Sequence, residues 1–211
     1  MTLVTEKIKS KPLKSKSARL NDLENVMRQT DLHLKATANH LVFGEGSPDS
    51  KIFFVGEAPG KNEDLQGRPF IGSAGKILDQ LLSSINLKRT ETYITSILKY
   101  RPPKNRNPKL EEIISHTPYL IEQIRIIQPQ IIVPLGNFAT RFILGGFNIA
   151  NMSAVPGIST LHGKVKRIAF EHLKFCVIAL YHPAAVLYNP RLRNTLKKDF
   201  LVIKNFNNAQ G

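Results

Sequence analysis

Thiols are almost missing from this sequence: a single cysteine, Cys176, stands among 211 residues. One thiol cannot close an internal disulfide or build a cysteine-ligated metal site, so a disulfide-stapled fold and a thiolate metal centre are both excluded. No stretch approaches the ~20 continuous apolar residues that a membrane-spanning helix needs. The N-terminus is basic, but no apolar signal core follows it, which predicts a protein that is not secreted and works in the cytoplasm. Acidic residues are scarce, 16 Asp and Glu against 30 Lys and Arg, for a formal charge of +14. That imbalance calls for a polyanionic partner, nucleic acid before an anionic membrane surface, and names no fold. Internal repeats are absent too, and the 42% hydrophobic fraction suffices for one good-sized core.

What is present begins with a basic arm. Residues 1–19 carry Lys7, Lys9, Lys11, Lys14, Lys16 and Arg19 against Glu6 alone, with Pro12 and several serines between them. This composition predicts a flexible segment, either a solvated tail or a tether for DNA. The spacing of Leu20, Leu23, Val26, Met27 and Leu34 predicts an amphipathic helix opening a single domain over 20–206, with a tail at 207–211.

Four apolar runs rich in β-branched residues follow: Lys51–Val55, Thr92–Leu98, Gln130–Leu135 and Phe175–Leu180. Runs without polar alternation suit strands buried on both faces of a parallel sheet. Helical patterns lie between them at Ser73–Ser84, Leu110–Ile127 and Asn137–Leu144, the last with Asn137 as its N-cap. Alternating Val165, Ile168 and Phe170 between glycines predict a hairpin before the fourth strand, and a helix is expected from Pro190 to Asn205. The fold class is therefore α/β, a three-layer α/β/α domain around a four-stranded parallel sheet.

Ligands of such sheets bind at the carboxyl ends of the strands, where the loops begin. The informative residues fall there. Gly56-Glu-Ala-Pro-Gly60 follows the first strand, Lys99-Tyr-Arg-Pro-Pro-Lys-Asn-Arg106 the second, Gly136-Asn137 the third and His182-Pro-Ala-Ala-Val-Leu187 the fourth. Four loops at one edge make one site. The first loop is a tight turn whose amides can approach a ligand closely, without P-loop or dinucleotide spacing. Glu57, Glu63 and Asp64 are either site carboxylates or ordinary capping and surface groups. Phe70, between Pro69 and Ile71-Gly72, is either a stacking platform for a base or a core anchor. The Lys99–Lys109 segment, with five cations and three prolines, suits a phosphate backbone or a solvated loop. His182 alone reads as structural as readily as catalytic.

Taken in order, these strings resemble the family 4 uracil-DNA glycosylases from about Leu41 to Phe200. The matching stretches are Val42-Phe-Gly-Glu-Gly-Ser-Pro-Asp49, Gly56–Gly60, Glu63-Asp64, Gly67-Arg-Pro-Phe-Ile-Gly72, Tyr93-Ile-Thr95, Lys99, Arg101-Pro-Pro103, Asn105-Arg106, Pro134-Leu-Gly136 and His182-Pro-Ala-Ala185. The resemblance implies an enzyme of base-excision repair, a monomer acting on single- or double-stranded DNA at the nucleoid. It would flip deoxyuridine from the stack and hydrolyse its glycosidic bond, leaving an abasic site. On it His182 donates a hydrogen bond to uracil O2, Phe70 stacks on the pyrimidine, and Glu57 places the attacking water. Glu63 stands by as a second carboxylate. Gly56, Ala58, Pro59 and Ser96 line the base. Lys99, Arg101, Lys104 and Arg106 hold the DNA, and Val186, Leu187 and Tyr188 fill the vacated stack.

Two departures from that family stand out. Its four cluster-binding cysteines fall at or near Gln29, Leu32, Tyr100 and Ser115 or His116, so the family's four-iron–four-sulphur cluster is expected to be absent, replaced by packing through Leu32 and Tyr100. The family's base-reading asparagine is Ser96 here. A hydroxyl makes one short-reaching contact where an amide both donates and accepts, so altered base preference is expected. A DNA-binding paralogue that has lost turnover is the competing reading, and an unrelated nucleotide-handling α/β enzyme is the third. The family branch that traps a covalent intermediate is not matched.

Overall fold

A computed structural model describes residues 14–209. Six strands form one sheet: β1 (Glu45–Gly46), β2 (Ile52–Gly56), β3 (Tyr93–Ser96), β4 (Ile131–Pro134), β5 (Val165–Phe170) and β6 (Leu173–Ile178). Their order is β1-β3-β2-β4-β6-β5. The four central strands are parallel, and β1 and β5 close the edges antiparallel. Helices α1 (Lys16–Gln29), α2 (Lys61–Gln66), α3 (Ser73–Ser84), α4 (Leu110–Ile127), α5 (Asn137–Leu144), α6 (Ile158–Leu161), α7 (Ala185–Tyr188) and α8 (Leu192–Ala209) complete the chain.

The apolar runs are continuous because both faces of the sheet are covered. Side chains alternate across a strand, so β2 sends Phe53 and Val55 to one core and Ile52 and Phe54 to the other. The first core includes Met27 of α1, Leu120 and Ile124 of α4, and Phe142 of α5. The second includes Leu78 and Leu82 of α3 with Leu196 and Phe200 of α8. Parallel neighbours in register, such as Gly56 opposite Ser96, end together and bring their loops to one edge.

Several details differ from the sequence reading. The four expected parallel strands form the centre of the sheet, which gains two antiparallel edges because the expected hairpin joins it as β5–β6 and the two-residue β1 pairs with β3. Helix α1 starts at Lys16, inside the segment expected to be flexible; residues 1–13 of that arm lie outside the described residues. Ser15 Oγ caps it by accepting from Ala18 N, Lys16 Nζ reaches the Ile127 carbonyl, and Leu20 is buried against the domain. The helix ends at Gln29 rather than Leu34, whose backbone is left-handed at φ 72°. Gly136, not Asn137, caps α5; the Asn137 carboxamide accepts from Ile158 N instead. Helix α8 runs through residues 207–209 of the expected tail. Among the described residues no helix is long and apolar enough to cross a membrane.

Candidate active site

The loops after β2, β3 and β6 surround a cavity of about 430 Å³. Its wall holds Glu57, Ala58, Pro59, Glu63, Phe70, Ser96, Arg106 and His182 from the sequence reading, and also Ala74, Pro102, Asn105 and Ala184. Gly56 lies directly behind it. A Cβ on Gly56 would stand 2.7 Å from the Phe70 ring and 3.1 Å from Ser96 Oγ, so only a glycine lets the ring rest on the strand end. The Phe70 and His182 rings face one another, with centroids 5.7 Å apart at 32°. Phe70 is thus a buried core anchor whose ring also lines the cavity.

Burial pushes the His182 pKa down to about 4, partly offset by the negative charge of Glu63, so the imidazole is neutral at pH 7. Its Nδ1 accepts from the Ala184 backbone N–H at 3.2 Å. A neutral ring that accepts at Nδ1 carries its hydrogen on Nε2. The residue is therefore a neutral donor beside an aromatic face. Burial raises the Glu57 pKa, and its carboxylate has no hydrogen-bond partner among the described residues. Ser96 is buried, lines the cavity, and its hydroxyl has no hydrogen-bond partner among the described residues.

Other expected residues do different work. Glu63 lies beside the cavity, but its Oε1 already accepts from Ile71 N at 3.0 Å and Gly72 N at 2.8 Å, the amides after Phe70. That oxygen braces the loop that carries Phe70. Asp64 is turned away from the site and accepts from the backbone and side chain of Asn39. Lys99 is the largest correction: it is 0% exposed and cannot touch DNA. Its Nζ donates to Thr95 Oγ1, to the Ser96 carbonyl at 2.7 Å and to Gln123 Oε1 at 2.6 Å, and burial drives its pKa well below the ordinary lysine value.

Arg101 and Lys104 stay at the surface beside the cavity, with Arg101 Nε on Asn105 Oδ1 at 2.7 Å. Arg106 is held at the cavity wall by a two-pronged bond to Glu112. Of the expected wedge, Val186 is buried in the second core, because the single turn of α7 directs it inward onto the sheet. Leu187 and Tyr188 project, 54% and 88% exposed.

The places of the family's cysteines hold no thiolate. Leu32 and Tyr100 are buried in the first core, and Gln29 is exposed. Of the two residues matched to the fourth cysteine, Ser115 bonds its own helix at the Glu112 carbonyl, and buried His116 takes the inner position. His116 Nδ1 accepts from Lys99 N at 2.9 Å, Nε2 donates to the His33 carbonyl at 3.1 Å, and the ring meets Tyr100 edge-on at 6.0 Å. Both ring nitrogens are occupied, and burial pushes the pKa of His116 to about 4. This donor set does not fit an iron–sulphur cluster.

A cavity with an aromatic face, a neutral histidine donor and an unpaired carboxylate, edged by cations, fits a hydrolase that takes a planar base out of a polyanion. The particular family follows from comparison with known proteins. The family model of the uracil DNA glycosylase superfamily matches residues 43–204, and the chain belongs to that superfamily. It is 47% identical over 173 residues to the type-4 uracil-DNA glycosylase of Archaeoglobus fulgidus, covering 82% of this chain and 84% of that one. The type-4 enzyme of Sulfurisphaera tokodaii is 46% identical over 164 residues, 76% of this chain and 72% of its own. That of Thermotoga maritima is 37% identical over 192 residues, 89% and 94% of the two chains.

Four wall residues escaped the sequence reading as parts of the site: Ala74, Pro102, Asn105 and Ala184. Pro102, Asn105 and Ala184 lay within matching strings and were given no role. Ala74 opens a helix, where an alanine is an ordinary residue.

Proposed function

We propose that this chain is a uracil-DNA glycosylase of base-excision repair that hydrolyses the bond between uracil N1 and the deoxyribose C1′. The observation that carries the reading is the neutral His182, held with its hydrogen on Nε2 opposite Phe70. A flipped uracil stacked on Phe70 receives that hydrogen bond at O2. As the C1′–N1 bond breaks, its electron pair passes to the uracil ring, and the growing charge on O2 meets a donor already oriented for it. A water beside the Glu57 carboxylate attacks C1′. Its oxygen forms the new bond, Glu57 takes up the released proton, and the departing base gains one from solvent. Ionised Glu57 also stabilises positive charge developing on the sugar. Arg101, Lys104 and Arg106 engage phosphates, and Leu187 and Tyr188 enter the vacated stack.

Ser96 bears on base choice. Its hydroxyl leaves part of the uracil edge unpaired, a loss of about 1–3 kcal/mol of binding to a buried polar edge. The test is an oligonucleotide bearing one uracil, treated with protein and then alkali. Strand scission is expected opposite guanine, opposite adenine and in a single strand. A panel of hypoxanthine, xanthine and thymine reports how far Ser96 relaxes the choice, and Ser96→Asn is expected to raise kcat/KM for uracil about tenfold. Wild-type protein that binds this DNA without scission would make the chain a binding paralogue.

We also infer that the chain works without an iron–sulphur cluster, supported by the engaged nitrogens of His116 and the burial of Leu32 and Tyr100. Protein purified without oxygen should contain no stoichiometric iron or acid-labile sulphide. A visible absorption band with four irons per chain would refute this.

A further inference from the structure

We propose that Arg89 is a positioning residue for uracil excision: its guanidinium, together with the Glu63 carboxylate, clamps the loop that presents the Phe70 ring. The inference rests on the reading of Phe70 as the base platform. Phe70 holds a left-handed backbone, φ 49°. A bulky residue leaves that region unless its surroundings over-determine it. Here they do. Arg89 Nη1 donates to the Phe70 carbonyl at 3.1 Å and Nη2 to the Pro69 carbonyl. On the other side of Phe70, Glu63 Oε1 accepts from the next two amides, Ile71 N and Gly72 N. A cation thus takes the two carbonyls before the turn, and an anion takes the two amides after it.

The clamp is itself anchored. Arg89 Nε donates to Glu45 Oε1 at 2.5 Å and Nη1 to Asp79 Oδ1 at 3.0 Å, tying the loop to strand β1 and helix α3. The Phe70 carbonyl is pressed against helix α3 so closely that a Cβ on Gly75 would stand 1.8 Å from it. Arg89 is 19% exposed, whereas Arg68, which shares Glu45, is 59% exposed and bonds neither carbonyl. A lysine is a point donor and cannot span both carbonyls and both carboxylates as a planar guanidinium does. An arginine that only paired surface charges would leave the ring unmoved when removed.

Two measurements test this. The first is steady-state excision by Arg89→Ala and Arg89→Lys, with folding checked by circular dichroism. Misplacing the platform is expected to lower kcat/KM on the order of 100-fold in Arg89→Ala. Millimolar guanidinium should restore much of that loss while leaving Phe70→Ala unrescued. The second is fluorine NMR of protein labelled with 4-fluorophenylalanine, the Phe70 signal being identified through Phe70→Leu. One sharp Phe70 resonance is expected in the wild type, shifted or broadened in both Arg89 variants while core phenylalanines keep their positions. Folded Arg89 variants with unchanged kcat/KM, or with an unmoved Phe70 resonance, overturn the clamp. The NMR readout needs no turnover. An inactive wild type whose Phe70 signal still responds to Arg89 overturns the glycosylase reading and leaves the clamp standing.

Discussion

His182→Ala is expected to lower kcat for uracil release by about 100- to 1,000-fold, the usual cost of removing one oriented donor to a developing anion. KM should change little, because the bond to O2 strengthens only as charge moves onto the base. The residue acts as a neutral donor, so its own titration, near pH 4, lies outside the working range. Glu57 behaves differently. Its pKa is raised by burial, and the ionised form is the one that attracts the sugar cation and orients water. Activity should therefore fall as pH drops through a midpoint above the ordinary carboxylate range. Glu57→Gln should remove that acid limb and leave a low, flat profile. A pH–rate series on the three proteins decides the matter. An acid limb that survives in Glu57→Gln would detach Glu57 from the chemistry, and equal turnover in His182→Ala would detach the histidine.

Lys99→Met is expected to destabilise the fold by about 3 kcal/mol, since it leaves the Ser96 carbonyl, Gln123 Oε1 and Thr95 Oγ1 without their buried donor. For a domain of this size that corresponds to a fall in Tm of roughly 6–12 °C. Methionine fills a similar volume, so the loss is one of hydrogen bonding rather than of packing. The salt dependence of DNA binding should stay as in the wild type, because an amine enclosed by protein releases no counterions. Arg101→Ala or Lys104→Ala should flatten that dependence by about one unit of slope and leave Tm nearly unchanged. Thermal melts and binding titrations across salt separate the two behaviours. An unaltered Tm with a flattened slope in Lys99→Met would return Lys99 to the DNA surface.

The contrast between Lys99 and its neighbours indicates where reading a sequence stops. Lys99, Arg101, Lys104 and Arg106 sit in one basic loop and are alike by composition. Lys99 alone is enclosed, because Gln123 on α4 and Thr95 on β3 supply acceptors that composition cannot bring together. Val186 and Leu187 are adjacent apolar residues, yet one turn of helix sends the first into the core and leaves the second in solvent. Glu57 and Glu63 are both acidic residues near one turn. The amides of Ile71 and Gly72 engage one oxygen of the second, whereas the first has no partner among the described residues.

By itself the sequence determined the four parallel strands, the hairpin beside them and the longer helices around the sheet. Continuous β-branched runs and 3.6-residue spacing are local properties that survive any packing consistent with them. It determined as well that loops after the strands meet at one edge, since parallel strands in one sheet end on one side, although Gly136-Asn137 after β4 does not line the cavity. The lone Cys176 already excluded a thiolate-held cluster. Only the tertiary structure shows what occupies the places of the family's cysteines, with a neutral His116 joining the Lys99 amide to the His33 carbonyl beside Tyr100. It alone decided which acid is free, which lysine is buried, and that Arg89 holds the Phe70 turn. Each of those facts depends on partners distant in the chain, and burial and hydrogen bonding are set by where such partners meet.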